Sequence, residues 1–347
     1  SIGSQPMTPS SFDDIRRLVA DMPGADAAAI EAAQARDGQL TKPPGSLGKL
    51  EQIALWLAGW QASASPRAER IEIMIFAGNH GVTAQGISAF PPEVTFQMVA
   101  NFEHGGAAIN QLAALLGAEL TVVPLELDRP TRDFCAGPAM TEAETCAAFA
   151  IGFETVKEAD LACIGEMGIG NTTVAAALSA ALFGGTGGDW AGPGTRLDPE
   201  GVNRKAEVID RALALHGDRL GDPLEALACL GGREIAAMAG ALLACRHKHV
   251  PVILDGYVNC AAAAVLKRLD ADALDHCIAG HRSAEPAAGR LLGHLDADRQ
   301  HEPLLDLEMR LGEGSGAATA ALLVKAAVAT HNGMATFAEA GVAGKES

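Results

Sequence analysis

Four Gly-rich or strand-end segments carry the residue types that chemistry uses. Residues 165–178 read GEMGIGNTTVAAAL, in which three glycines give way to Asn171, Thr172 and Thr173 at the start of an Ala-rich helix. Glycines let a backbone approach a ligand closely, and the unpaired N–H groups of a helix start favour a phosphate. Either Thr172 or Thr173 is placed to cap that helix. No Lys follows the last glycine, so this is not a nucleoside-triphosphate loop, and the spacing is not that of a dinucleotide fingerprint. An ordinary tight turn stays open as the alternative. Glu166 is out of place beside a phosphate and better suited to a sugar hydroxyl or a developing positive charge.

Residues 310–329, RLGEGSGAATAALLVKAAVA, set Glu313 between glycines ahead of a helix of small residues. The helix dipole would lower its pKa and burial would raise it. If the two nearly cancel, Glu313 is ionised near neutrality and can accept a proton. A purely structural cap is the alternative. Residues 184–213 read as a long Gly-rich loop, then Asp198 and Pro199 as cap and first turn of a helix. Arg196, Arg204 and Lys205 bring positive charge there; Lys205 could reach an anion, but taken alone the three residues favour a solvent-facing reading. Residues 77–102 place His80 between Gly78 and Gly81 and follow it with Ser88, Phe90 and Gln97, a mixture suited to a flat heteroaromatic ring. His80 by itself reads first as a structural histidine. Asp255 could hold ribose hydroxyls or cap the next helix.

These residues need a scaffold. The first 60 residues predict helices: one capped by Ser11, one near Ala25–Arg36 and one from about Leu47 to Gln61, with a rigid Thr41–Ser46 turn before the last. Short apolar runs then recur at Ile71–Ala77, Leu120–Leu125, Leu161–Ile164, Val250–Leu254 and Leu274–Ile278, each followed by Gly or a polar residue and a helical stretch. Strands alternating with helices predict an α/β fold with a mainly parallel sheet covered on both faces. Ligands in such folds sit beyond the carboxyl ends of the strands, where the candidates above cluster.

Composition narrows the partners. The 347 residues carry 26 Lys and Arg against 43 Asp and Glu, a net charge of -17, and only 4% aromatics. That argues against nucleic acid, which calls for basic surfaces or aromatic stacking platforms. No 18-residue uncharged apolar run predicts a membrane span, and no signal peptide opens the chain. Seven cysteines, an odd number without a C-x-x-C pair, read as buried free thiols in a reducing cytoplasm. No metal-ligand spacing stands out; His247 and His249 read as solvated.

Together, TKPPGSLGKLE (41–51), GNHGVTAQGIS, PPEVTFQMV, GEMGIGNTT, LGGREIAAMAGAL, PVILDGYV, HRSAEP and RLGEGSGAA resemble one family in order and spacing across nearly the whole chain. It is the nicotinate-nucleotide–dimethylbenzimidazole phosphoribosyltransferase family of cobalamin lower-ligand biosynthesis. The resemblance implies a Rossmann-like core over 66–310, a smaller helical lobe from 1–65 and 311–347, and a homodimer. It implies transfer of phosphoribosyl from nicotinate mononucleotide to 5,6-dimethylbenzimidazole, giving α-ribazole 5′-phosphate and nicotinate, with inversion at the anomeric carbon and no metal or cofactor. By the same resemblance Glu313 is the general base, with Glu166 beside it. Gly168, Gly170, Asn171, Thr172, Gly194, Thr195, Lys205, Asp255, Ser283 and Gly312 serve the nucleotide, and His80, Ser88, Gln97 and Leu311 the benzimidazole. Arg196 stands where the family's loop has a glycine, so it either alters the phosphate cradle or joins it. Another acceptor, such as adenine or a phenol, and a non-catalytic nucleotide-binding regulator remain alternatives.

Overall fold

The structure, a computed structural model, describes residues 6–191, 198–296 and 302–344. In chain order its elements are α1 (Phe12–Ala20), α2 (Ala27–Asp37), α3 (Lys49–Gln61), β1 (Ile71–Ala77), α4 (Glu93–Glu103), α5 (Ala108–Leu116), β2 (Glu119–Pro124), α6 (Glu142–Thr155), β3 (Leu161–Met167), α7 (Asn171–Phe183), α8 (Gly187–Trp190), α9 (Pro199–His216), α10 (Pro223–Leu230), α11 (Arg233–His247), β4 (Val252–Leu254), α12 (Tyr257–Leu269), β5 (Cys277–Ala279), α13 (Ala288–Leu295), α14 (Ser315–Gly333) and α15 (Phe337–Ala340). Ser11 caps α1 and Asp198 caps α9 through their side chains, as the sequence predicts.

The five strands form one parallel sheet in the order β2-β1-β3-β4-β5. Order reverses between β1 and β3, so the ligand crevice of a doubly wound fold belongs at their carboxyl ends. β1 is buried along its whole length, because successive side chains enter different cores. Ile71, Ile73 and Ile75 pack with Leu57 of α3, Ile109 of α5 and Ala321 and Val324 of α14. Met74 and Phe76 enter the opposite core with α6, α7, α11 and α12. This is the α/β architecture with helices on both faces.

Three local expectations are corrected. The last strand runs Cys277–Ala279 rather than Leu274–Ile278, because an Asp270 side chain accepting from Asp272 N starts a run of turns that reaches His276. The Gly-rich stretch after α7 contains the helical turn α8, whose Gly187 N donates to Asp210. His247 is not solvated: half-buried, it lies 2.8 Å from the carbonyl of Leu18.

The chain ends are joined. Thr41 N donates to Ala335 O, Phe337 N donates to Gln39 O, and Leu40 pairs with Thr336. Arg36 donates to the carbonyls of His331, Asn332 and Met334. Those are the carbonyls that the end of α14 would otherwise leave unbonded. Lys42, in the rigid turn, is buried between Asp37 and Glu51.

Candidate active site

A cavity of about 400 Å³ opens at the carboxyl ends of β3 and β4. Its walls come from the turn after β3, the start of α12, the 283–285 segment, the 310–313 strap and one side of α4. That volume falls within the usual range for small-molecule sites. Of the site residues expected from the sequence, Glu166, Gly168, Asn171, Thr172, Ser283, Leu311, Gly312 and Glu313 line it.

Glu313 reaches the cavity from a strained position. Its φ is +59°, in the left-handed region that a side chain seldom adopts. The residue is 6% exposed, and its Oε1 is buried without a hydrogen-bond partner among the described residues. Burial, with the charge of Asp255 added, pushes its carboxyl up to about 7. The expected balance between dipole and burial does not arise, because another group holds the helix start. Asp255 accepts from Gly314 N at 2.9 Å and Ala317 N at 3.0 Å, so it caps α14, not the helix that follows it in sequence. His281 lies 3.9 Å from the same carboxylate.

Glu166 ends β3 beneath the strap. It accepts from Asn171 Nδ2 at 2.9 Å and from Glu313 N at 3.4 Å. Burial raises its carboxyl well above the ordinary range; Asn171 opposes that, and the charges of Asp255, Glu313 and Glu234 add to it. The turn that follows enters α7 through Gly170 at φ +86°, where a side chain would be strained. The N-cap of α7 is Gly170, which has no side chain, so the Thr172 or Thr173 cap expected from the sequence is not formed.

Lys205 does not face solvent. It is 1% exposed and donates from Nζ to Thr172 Oγ1 at 2.9 Å, placing an ammonium behind the start of α7. Burial lowers its pKa to about 8, with Glu285 opposing. The sequence held a signal for this: Gly201, Lys205, Val208, Ile209 and Ala212 form the buried stripe of α9 at helical spacing. Arg204 is exposed and donates to Gly86 O. Gly194, Thr195 and Arg196 lie outside the described residues.

The benzimidazole candidates divide. Leu311 lines the cavity, but His80, Ser88 and Gln97 do not. His80 is paired with buried Glu234, Ser88 Oγ accepts from Phe90 N, and Gln97 is exposed. On α4 the wall is made by Val94 and Met98, one turn apart, with Phe90 before them. Tyr257, Glu285 and Arg310 also line the cavity and carry no role in the sequence reading. Among the described residues no cluster of three or more His, Cys, Asp or Glu is placed to hold a metal, and no helix is long and apolar enough to cross a membrane.

A family model described as phosphoribosyltransferase matches residues 22–342. The chain belongs to the nicotinate-nucleotide–dimethylbenzimidazole phosphoribosyltransferase family. A member from Ruegeria pomeroyi is 58% identical over 339 residues, covering 97% of this chain and 99% of its own. One from Jannaschia sp. is 55% identical over 338 residues, covering 97% and 99%. The crystal structure of the nicotinate-nucleotide–dimethylbenzimidazole phosphoribosyltransferase of Thermus thermophilus superposes with a TM-score of 0.82 at 40% identity, covering 92% of this chain and 99% of that one. By this membership the chain is an enzyme, a phosphoribosyltransferase.

Proposed function

We propose that the enzyme transfers phosphoribosyl from nicotinate mononucleotide to 5,6-dimethylbenzimidazole, releasing nicotinate and forming α-ribazole 5′-phosphate. One observation carries the reading: a buried carboxylate oxygen, that of Glu313, stands without a partner among the described residues at the wall of a cavity sized for small substrates. Phe90, Val94, Met98 and Leu311 offer an apolar face to a flat heterocycle. The start of α7, whose cap residue Gly170 has no side chain, suits a 5′-phosphate with Lys205 behind it.

The reaction is a single displacement. Glu313 takes the acceptor's ring N–H proton. The acceptor nitrogen forms a bond to the anomeric carbon while the carbon–pyridinium bond breaks, its electron pair returning to nicotinate. Attack from the opposite face inverts the carbon. Positive charge grows on the ribose, and Glu285 on the wall favours it, while Glu166 suits a ribose hydroxyl. The family resemblance further supports a homodimer. The seven free cysteines support a reducing, cytoplasmic setting.

The test is product formation from the two substrates, followed by chromatography. Glu313→Gln should lower turnover by about 10²- to 10⁴-fold while nucleotide binding persists. Near-normal turnover would remove the base assignment. Because the base must be deprotonated and burial sets it near 7, kcat/KM should fall about tenfold per pH unit below that value. A flat profile from about pH 5.5 to 8 would contradict it. Parallel assays with adenine and a phenol rank the acceptors.

A further inference from the structure

Behind the cavity floor lies a polar pair that the reaction does not use. His80 follows β1, and Glu234 lies in the first turn of α11. Their side chains are 1% and 0% exposed, and His80 Nε2 lies 2.6 Å from Glu234 Oε2. Groups this polar are expensive to bury, and they persist where their geometry is fixed. Backbone closes on the pair from three directions. A Cβ on Gly168 would stand 2.1 Å from Glu234 Oε2, one on Gly78 3.2 Å from its Cδ, and one on Gly232 2.2 Å from His80 Cε1. Gly78 continues β1, Gly168 continues β3, and Gly232 leads into α11. The pair is therefore keyed between the two strand ends that flank the sheet's point of reversal. Gly168 also lines the cavity, two residues past Glu166 and three before Asn171.

We propose that His80 and Glu234 are positioning residues for the transfer reaction: braced against Gly168, they set the depth of the turn between β3 and α7 and so hold Glu166 and Asn171 in register with Glu313. Neither side chain lines the cavity, so the pair acts through the turn and not on substrate. The inference rests on the phosphoribosyl-transfer reading of the cavity. An electrostatic effect accompanies the geometric one. Glu166 is faced by Glu234 from α11, by Asp255 from the end of β4 and by Glu313 from the strap, and each of these charges raises its pKa. His80 faces Glu234 from β1.

Glu234→Gln, which keeps the shape and removes the charge, is compared with His80→Gln, Glu234→Ala, His80→Ala and the double alanine variant. Readouts are kcat, KM for each substrate, the pH profile and the thermal midpoint. Glu234→Gln should lower kcat about tenfold or more, because small misplacements at a reacting centre are costly. Donor KM should stay within about threefold, and the acid limb, which Glu313 sets, should keep its place, so that the loss falls on kcat alone. The two alanine variants should lose similar activity and the double no more than the worse single, as for residues acting as one unit. If the alanine variants do not fold, the two glutamine variants carry the test. The proposal is overturned if both glutamine variants keep kcat within about twofold, or if the alanine losses simply add. Wild-type enzyme in the same assay separates the two claims: absence of product there sinks the transfer reading, whereas wild-type turnover with indifferent variants sinks only the pair's role.

Discussion

Two turns of this molecule look alike in sequence and behave differently in the fold. Gly168-Ile169-Gly170 and Gly312-Glu313-Gly314 each lead from the sheet's carboxyl end into a helix of small residues. At the start of α7 the cap residue is Gly170, without a side chain, and a buried lysine stands behind it. The start of α14 is filled from within by Asp255, 59 positions from the nearer N–H it binds. The second start is occupied from within, and the carboxylate beside it feels a fixed negative charge instead of a positive dipole. A carboxylate so placed has its pKa raised toward neutrality, which is what the proposed base requires.

Removing the internal cap should disturb the second turn most. Asp255→Ala leaves Gly314 N and Ala317 N buried without their acceptor, a loss on the order of 2 kcal/mol. It also frees the base to drift, so turnover should fall about 10²-fold or more. Asp255→Asn should shift the acid limb of kcat/KM to lower pH, since the Asp255 charge is part of what raises Glu313. Urea unfolding and pH-rate measurements check both; unaltered stability in the alanine variant would mean that the two turns differ for another reason.

A stability test isolates the strain of keeping that base. The Glu313 carboxyl rises from an ordinary 4.5 to about 7 on folding, so the folded state holds its proton more tightly than the unfolded chain. Its ionised form therefore costs stability above about pH 7, on the order of 3 kcal/mol, and the cost fades as pH falls to the unfolded value. Glu313→Gln should be more stable than wild type at about pH 8, with the difference vanishing near pH 4.5. A gap independent of pH would refute the linkage.

The smallest effect belongs to the open turn. Gly170→Ala places a side chain at φ +86° and a Cβ 2.9 Å from Thr83 Cγ2, costing about 1–2 kcal/mol. Donor KM should rise while acceptor KM changes little. Equal changes in both would mean that the turn serves the whole cavity and not the anion alone.

The sequence made the scaffold readable because its signals are local. Five apolar runs, each followed by Gly or a polar residue, mark the five strands, the last of them displaced toward Ala279, and Ser11 and Asp198 cap the helices they precede. Of eight expected residues that line the cavity, strand ends pointed to Glu166, Gly-rich motifs to Asn171, Thr172 and Glu313, and the family resemblance to Gly168, Ser283, Leu311 and Gly312. What stayed hidden depends on long-range partners. Asp255 reads as a cap for the next helix, and only the fold carries it to α14. Lys205 reads as solvated until its stripe on α9 is matched to α7. The apolar wall of α4 belongs to Val94 and Met98 and not to Gln97, a choice set by helix rotation and not by residue type.

Arg36 gives the chain ends a reach beyond their own neighbourhood. It grips the rear of α14 while Asp255 grips the front, so the helix behaves as a strut fixed at both ends. Its 19 residues span about 28 Å. The rear clasp therefore lies one helix length from Glu313, which precedes the other end. Truncations near residue 334 should therefore lower turnover while touching nothing in the cavity, an outcome that assays of shortened chains check.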